Sequence, residues 1–236
     1  MRLLLIRIAM ALGLLAANAS GQTILNNNFN AWWIYNGQHP IADKWDVHLE
    51  AHLRVYQAIT SWQQGLLRAG LLRSLGPRWS VGGGYTNLRS GQWGPYPIPA
   101  PTNEHRIHQQ VAFRHKTGAW DWQQRLRWEE RWIHDRGVWR YQNRLRQYTR
   151  ASVPFRPGSP WYFAASNELW FNVPPNVSKP FDQNRTVVSI GKRLTRANRV
   201  EFGYMYQPRW QRNGIVLESN HTLVFTWLST ARWRKS

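Results

Sequence analysis

The chain has 236 residues, 31 Lys and Arg against 12 Asp and Glu, 16 Trp and no Cys. That length suits one large domain or two small ones, and one all-β domain can absorb it entirely; the missing cysteine excludes a disulfide scaffold, a thiolate metal site, a cysteine nucleophile and a lipidated N-terminal cysteine. A net charge of +19 with 14% aromatics fits two different proteins, a nucleic-acid binder or a membrane barrel, and the order of residues along the chain separates them.

Residues 1–19 read as a signal peptide. Arg2 is followed by the apolar stretch Leu3 to Ala17, interrupted only by Arg7, and Ala17-Asn18-Ala19 supplies an A-x-A cleavage site. The run is shorter than the ~20 residues a bilayer-spanning helix needs. No later window is long and apolar enough for such a helix. The mature domain is expected over residues 20–236, exported first to the periplasm.

Beyond the leader the chain alternates with period two. After a short candidate at Ala31–Tyr35, the segment Trp45 to Tyr56 puts Trp, Val, Leu, Ala, Leu and Val on odd positions and Asp, His, Glu, His, Arg and Tyr on even ones. A helix would scatter those apolar residues, whereas a strand sends them to one face. Trp62–Arg73 and Arg78–Arg89 follow as weaker candidates. In Glu104–Arg114, Ile107, Val111 and Phe113 oppose Glu104, Arg106, His108 and Arg114. In Trp120–Trp132, the aromatic phase opposes Arg125, Arg127, Glu129 and Arg131, and Gln124 and Glu130 stand on the apolar side. Trp139–Val153 sets Arg140, Arg144, Arg146 and Arg150 against Trp139, Tyr141 and Leu145. Trp161–Val173, Arg185–Leu194, Val200–Tyr206 and His221–Trp227 complete eleven candidates. Short turn signals at Leu75–Pro77, Lys116–Gly118, Arg156–Pro160 and Thr195–Asn198 alternate with longer connections at Gly91–Asn103, His134–Gly137, Pro174–Pro180 and Arg209–Gly214.

Alternation is blind to which face meets water, so strand length and aromatic placement must decide. The clear runs span 11 to 15 residues, longer than the ~5–6 usual in soluble sheets and sufficient for a tilted membrane crossing of ~9–11. Trp45, Trp79, Trp120, Trp132 and Trp139 lie at or near run ends, where aromatic girdles would sit. The expected fold is therefore all-β: an antiparallel up-and-down transmembrane β-barrel of about 10–12 strands in a bacterial outer membrane. An even count is expected, ten if Ala31–Tyr35 does not cross and twelve if a short strand precedes Asn28.

Asn30-Ala31-Trp32-Trp33, the turn Ile41 to Trp45, Glu104-His105-Arg106, Leu66 to Gly70, Gly83-Gly84-Tyr85 and Arg125 to Trp132 resemble, in order and combination, the blocks of an uncharacterised bacterial family catalogued as domain of unknown function 2490. The resemblance runs from about Asn30 to the C-terminal strand. It implies an outer-membrane β-barrel and no established activity.

With apolar faces outward, the lumen would be lined by Glu50, His52, Arg54, Glu104, Arg106, Arg125, Arg127, Glu129, Arg144 and Arg146, with Arg114, Arg131, Arg140 and Arg150 on the same phase. Arg–Glu ladders between neighbouring strands are the structural reading of that set. The functional reading rests on a surplus between Trp120 and Val153, where seven arginines stand on the lumen phase against Asp121 and Glu129. Such an excess favours anions in a small pore or binding cavity. With ten to twelve strands this is no open porin of the 16–18-strand kind.

An envelope-modifying barrel enzyme is the alternative, and a structural or docking barrel without transport is the third. His48 and His52 share the inward phase with Glu50, but Gly-x-Ser-x-Gly is absent and Ser61, Ser80 and Ser166 lie in no nucleophile setting. On a strand, His48 and His52 stand about 13 Å apart, too far to share a metal. No catalytic residue, metal or cofactor is assigned. The expected partners are outer-membrane lipids, small anions or solutes, and the machinery that inserts barrels. Nucleic acid is not among them, because a single-strand groove needs its aromatics on the charged face and here they mostly occupy the other.

Overall fold

The computed structural model describes residues 24–57, 60–98, 100–174, 179–211 and 214–232; the expected leader lies outside them. All eleven candidate strands form, as β1 (Ile24–Ala42), β2 (Trp45–Tyr56), β3 (Ser61–Ser74), β4 (Trp79–Ser90), β5 (Thr102–Thr117), β6 (Trp120–Asp135), β7 (Val138–Pro154), β8 (Trp161–Val173), β9 (Phe181–Arg193), β10 (Asn198–Trp210) and β11 (Val216–Ser229). Each pairs antiparallel with its chain neighbour, and β1 closes the sheet on β11.

Eleven strands fall within the expected range of about 10–12, and only the expected even parity is overturned. Ala31–Tyr35 is the middle of a 19-residue strand that crosses the whole barrel. Eleven alternating strands leave the first and last pointing the same way. β1 and β11 therefore pair in parallel, in unbroken register from Ile24↔Val216 to Gly37↔Ser229.

One connection also departs from the sequence reading. His134–Gly137, expected as a longer loop, is a two-residue hairpin turn in which Asp135 pairs with Val138. Arg136 and Gly137 take φ of 50° and 79°, the left-handed pair that matches the right-handed twist of flanking strands. The other connections at that end, 57–60, 91–101, 174–180 and 211–215, are longer; this is the loop end. The opposite, turn end carries 43–44, 75–78, 118–119, 155–160 and 194–197.

The polarity is the inverse of a water-soluble sandwich. Leu53, Leu67, Leu71, Ile107, Leu126, Val188, Ile190 and Phe202 face outward and are exposed. Inward positions hold buried Arg68, Arg106, Arg127, Glu104, Glu129 and Glu168. Five tryptophans, Trp45, Trp79, Trp120, Trp161 and Trp227, stand exposed at the turn-end termini of β2, β4, β6, β8 and β11. Trp62, Trp139 and Tyr141 mark the loop end in the same way.

Candidate functional site: the cationic lumen

All ten residues singled out from the sequence stand on the inward face. Glu50, His52, Arg54, Arg106, Arg125 and Arg146 line a lumenal cavity of about 360 Å³. Glu104, Arg127, Glu129 and Arg144 are buried behind it. Period-two geometry puts them there: residues 50, 52 and 54 on β2, 104 and 106 on β5, 125, 127 and 129 on β6, and 144 and 146 on β7 each share one phase of the pleat.

Glu129 is the centre of the charge network. Arg144 donates from Nη2 to its Oε2 at 2.6 Å and Arg146 from Nη1 to its Oε1 at 2.6 Å. Arg68, Arg106 and Arg127 lie within 4.0 Å of the same carboxylate. Five guanidinium groups thus share one anion. Both Arg127 and Glu129 are 0% exposed, and Arg127 is held by Gln110 Oε1, which accepts from its Nε and Nη2 at 2.9 and 2.7 Å. Glu104 accepts from Arg106 Nε at 2.6 Å and from Arg131, and Glu168 accepts from Arg125 and Arg146 Nη2 groups at 2.8 Å.

Aromatic residues complete the lumen, and the sequence reading missed them. Trp32 and Trp170 point inward and are 4% and 3% exposed. The Arg144, Arg146 and Arg185 guanidinium carbons lie 4.1, 3.9 and 4.0 Å from the Trp170 ring centre. Arg54 lies 3.9 Å and Arg185 5.1 Å from that of Trp32. Cations over indole faces are attracted by the ring quadrupole, most strongly when desolvated. The phase was legible all the same, since Trp170 falls two residues after Glu168 and Tyr148 falls between Arg146 and Arg150.

These contacts close into a circuit. From Arg54 it runs through Trp32, Arg185, Trp170 and Arg146 to Glu129. It returns through Arg68, Glu50 and His52, whose Nδ1 accepts from Arg54 Nη2 at 2.9 Å. Nine side chains from β1, β2, β3, β6, β7, β8 and β9 form this septum. On its loop side an amide network links β1, β3 and β11: Trp32 Nε1 donates to Gln63 Oε1 at 3.0 Å, Gln63 to Asn30, and Asn28 and Asn30 both to Asn220 Oδ1.

On the turn side lies the cavity. Among the described residues that line it, nine arginines face four acids, Asp46, Glu50, Glu168 and Glu201. A second hollow of about 600 Å³ at the turn end shares Arg114, Gln123, Arg150 and Arg199 with the first. The cavity thus forms a vestibule on the turn side of the septum, sharing lining residues with the hollow at the turn end. Glu50 and Arg54 occupy both ring nitrogens of His52 there. Among the described residues no group of three or more His, Cys, Asp or Glu is arranged to hold a metal.

Fold and interior together define a closed, eleven-stranded β-barrel with buried charged residues on its inward face. The chain belongs to the family described as "Protein of unknown function (DUF2490)", which matches residues 29–217. No curated protein matches the chain. Among solved structures it is similar to one titled "NanC porin structure in rhombohedral crystal form", at 11% identity over 79% of this chain and 90% of that one, with a TM-score of 0.49.

Proposed function

We propose that the chain is an outer-membrane β-barrel serving as a narrow, anion-preferring channel, with the Arg–Trp–Glu septum as its constriction. The observation that carries this reading is the vestibule, where nine arginines face four acids and stay in excess when Glu104 and Glu129, which pair with Arg68, Arg106 and Arg146 from behind, are counted. An excess of fixed positive charge in a low-dielectric enclosure concentrates anions and repels cations. The membrane setting is supported by the apolar outward face and by exposed tryptophans at both ends of the strands, the pattern of a lipid-embedded barrel with aromatic girdles. Residues 1–19 would serve as the cleaved export signal, lipids would contact the outward belt, and the barrel-insertion machinery would assemble it.

The test is conductance of the refolded protein in a planar bilayer under a salt gradient. Discrete steps with a reversal potential toward the anion equilibrium value are the expected result. A cation-biased reversal overturns the anion assignment. A silent bilayer containing folded barrel favours instead a structural barrel whose septum never opens, a reading to which the complete burial of Arg127 and Glu129 gives weight.

A further inference from the structure

The outward wall is not uniform. At mid-height β2 presents Leu49, Ala51 and Leu53, β3 presents Leu67, Ala69 and Leu71, and β10 presents Phe202 and Tyr204. On β11 His221 interrupts this surface, and its Nδ1 lies 2.5 Å from Tyr204 Oη. Across β6–β9 the surface changes character. Gln124, Thr149, Asn167 and Thr186 face outward in one cross-strand row, each registered on the next. Gln147 and Asn184 flank it.

Three hydrogen bonds run along this stripe. Gln147 Nε2 donates to Thr149 Oγ1 at 2.8 Å, and Asn167 Nδ2 donates to Asn184 Oδ1 at 2.7 Å and to Thr186 Oγ1 at 2.9 Å. Four amides and two hydroxyls offer more donors and acceptors than three bonds consume. Facing hydrocarbon, the remainder would have no water to bond, which is costly. Asn167 is the central residue of β8, so the stripe crosses the level where lipid is driest.

We infer that this β6–β9 face is an interface with a second copy of the same chain. The inference rests on the membrane reading above. Copies inserted by one route share one orientation, so their two-fold axis runs along the membrane normal and each level of the stripe meets its own level in the partner. Amides carry both donor and acceptor, so a row of them is complementary to itself, as an isologous contact requires. The stripe itself holds no Arg, Lys, Asp or Glu; Glu130, outward on β6 nearer the loop end, lies outside it and accepts from Tyr141 Oη at 3.3 Å.

The chain has no cysteine, so a single introduced thiol reports its own surroundings. N167C is oxidised in outer-membrane vesicles beside L67C, which places a thiol at mid-height on the apolar β3 wall, where Leu67 is 67% exposed. The expected result is a disulfide-linked species of twice the monomer mass for N167C and none for L67C. In detergent, N167L/T186V should lower the dimer fraction at least tenfold while the barrel keeps its heat-modifiable gel mobility. A folded membrane barrel in which N167C stays monomeric, links as weakly as L67C, or joins a protein of another mass overturns the interface alone. A chain absent from the membrane fraction overturns both the interface and the membrane reading beneath it.

Discussion

Arg68 on β3 reaches Glu129 on β6 with a nitrogen-to-oxygen separation of 3.8 Å, although β4 and β5 lie between their strands in the sheet. The contact bridges the curve of the barrel wall and ties the two halves of the septum together. Cross-strand ladders alone would leave the centre of the lumen to water. Here the arginines on one side are long enough to meet a carboxylate rooted elsewhere on the wall, and the low dielectric strengthens each pairing.

Glu129→Gln tests that arrangement. The variant leaves Arg68, Arg106, Arg127, Arg144 and Arg146 around a neutral amide. Removing one partner of a buried ion pair costs about 3–5 kcal/mol, and here several guanidinium groups lose the same counter-charge. The expected outcome is a urea unfolding midpoint in lipid or detergent markedly below that of the parent. An unchanged midpoint would mean that water, not Glu129, compensates those arginines.

Trp170→Leu separates packing from charge. The substitution keeps an apolar residue but removes the ring on which Arg144, Arg146 and Arg185 stack. Each cation–π contact is worth about 0.5–2 kcal/mol, and the freed guanidinium groups gain rotamer freedom. In a bilayer the variant should open more often or to larger conductance than the parent, because the septum loses its link between Arg146 and Arg185. Conductance indistinguishable from the parent would remove Trp170 from the constriction.

The strands were legible because one physical constraint repeats along them. A wall with opposite environments on its two sides forces period two, and Trp45–Tyr56 shows it so cleanly that the sequence segment and β2 coincide. The septum was less legible. Trp32 and Trp170 are large and apolar, and hydrophobicity alone sends them outward; only the phase they share with Asn30 and Glu168 on their own strands reveals the inward direction. Arg68 sits in Leu66-Leu67-Arg68, where Leu66 also faces inward and is 4% exposed, so the alternation is blurred. Its partner Glu129 lies three strands away, and no local pattern encodes such a pairing. The start of β1 was hidden for another reason: Asn26, Asn27, Asn28 and Asn30 have turn composition, yet Asn26, Asn28 and Asn30 are lumenal residues at every second position.

Charge at the vestibule entrance should set ion preference independently of the septum. Arg114, whose Nη2 donates to Gln38 Oε1 at 2.9 Å, and Arg199 line both hollows. Neither forms an ion pair within 4 Å among the described residues, and Asp46, the carboxylate that acts on Arg114, keeps its hydrogen bond from Gln38 Nε2 at 2.6 Å in Arg114→Gln and Arg199→Gln. The double variant should move the reversal potential in a salt gradient toward zero and reduce anion preference. The effect should fade as salt rises toward 1 M, where the screening length falls to about 3 Å. A preference unchanged at low salt would place selectivity deeper in the lumen.

The parallel seam gives the sharpest test of the fold itself. Phe29 of β1 is registered on His221 of β11, and both face outward, away from the septum. A ten-stranded alternative would close β2 onto β11 and leave Phe29 without that neighbour. In a chain with no native cysteine, F29C/H221C should form an intramolecular disulfide under mild oxidation, seen as a mobility shift reversed by reductant. A pair displaced along the seam, F29C/F225C, lies four residues out of register on β11, about 13 Å along a strand, and should remain reduced. Linkage of the displaced pair with none in the registered one would break the assigned register. Failure of both in a folded barrel would remove β1 from the closure, and with it the odd strand count.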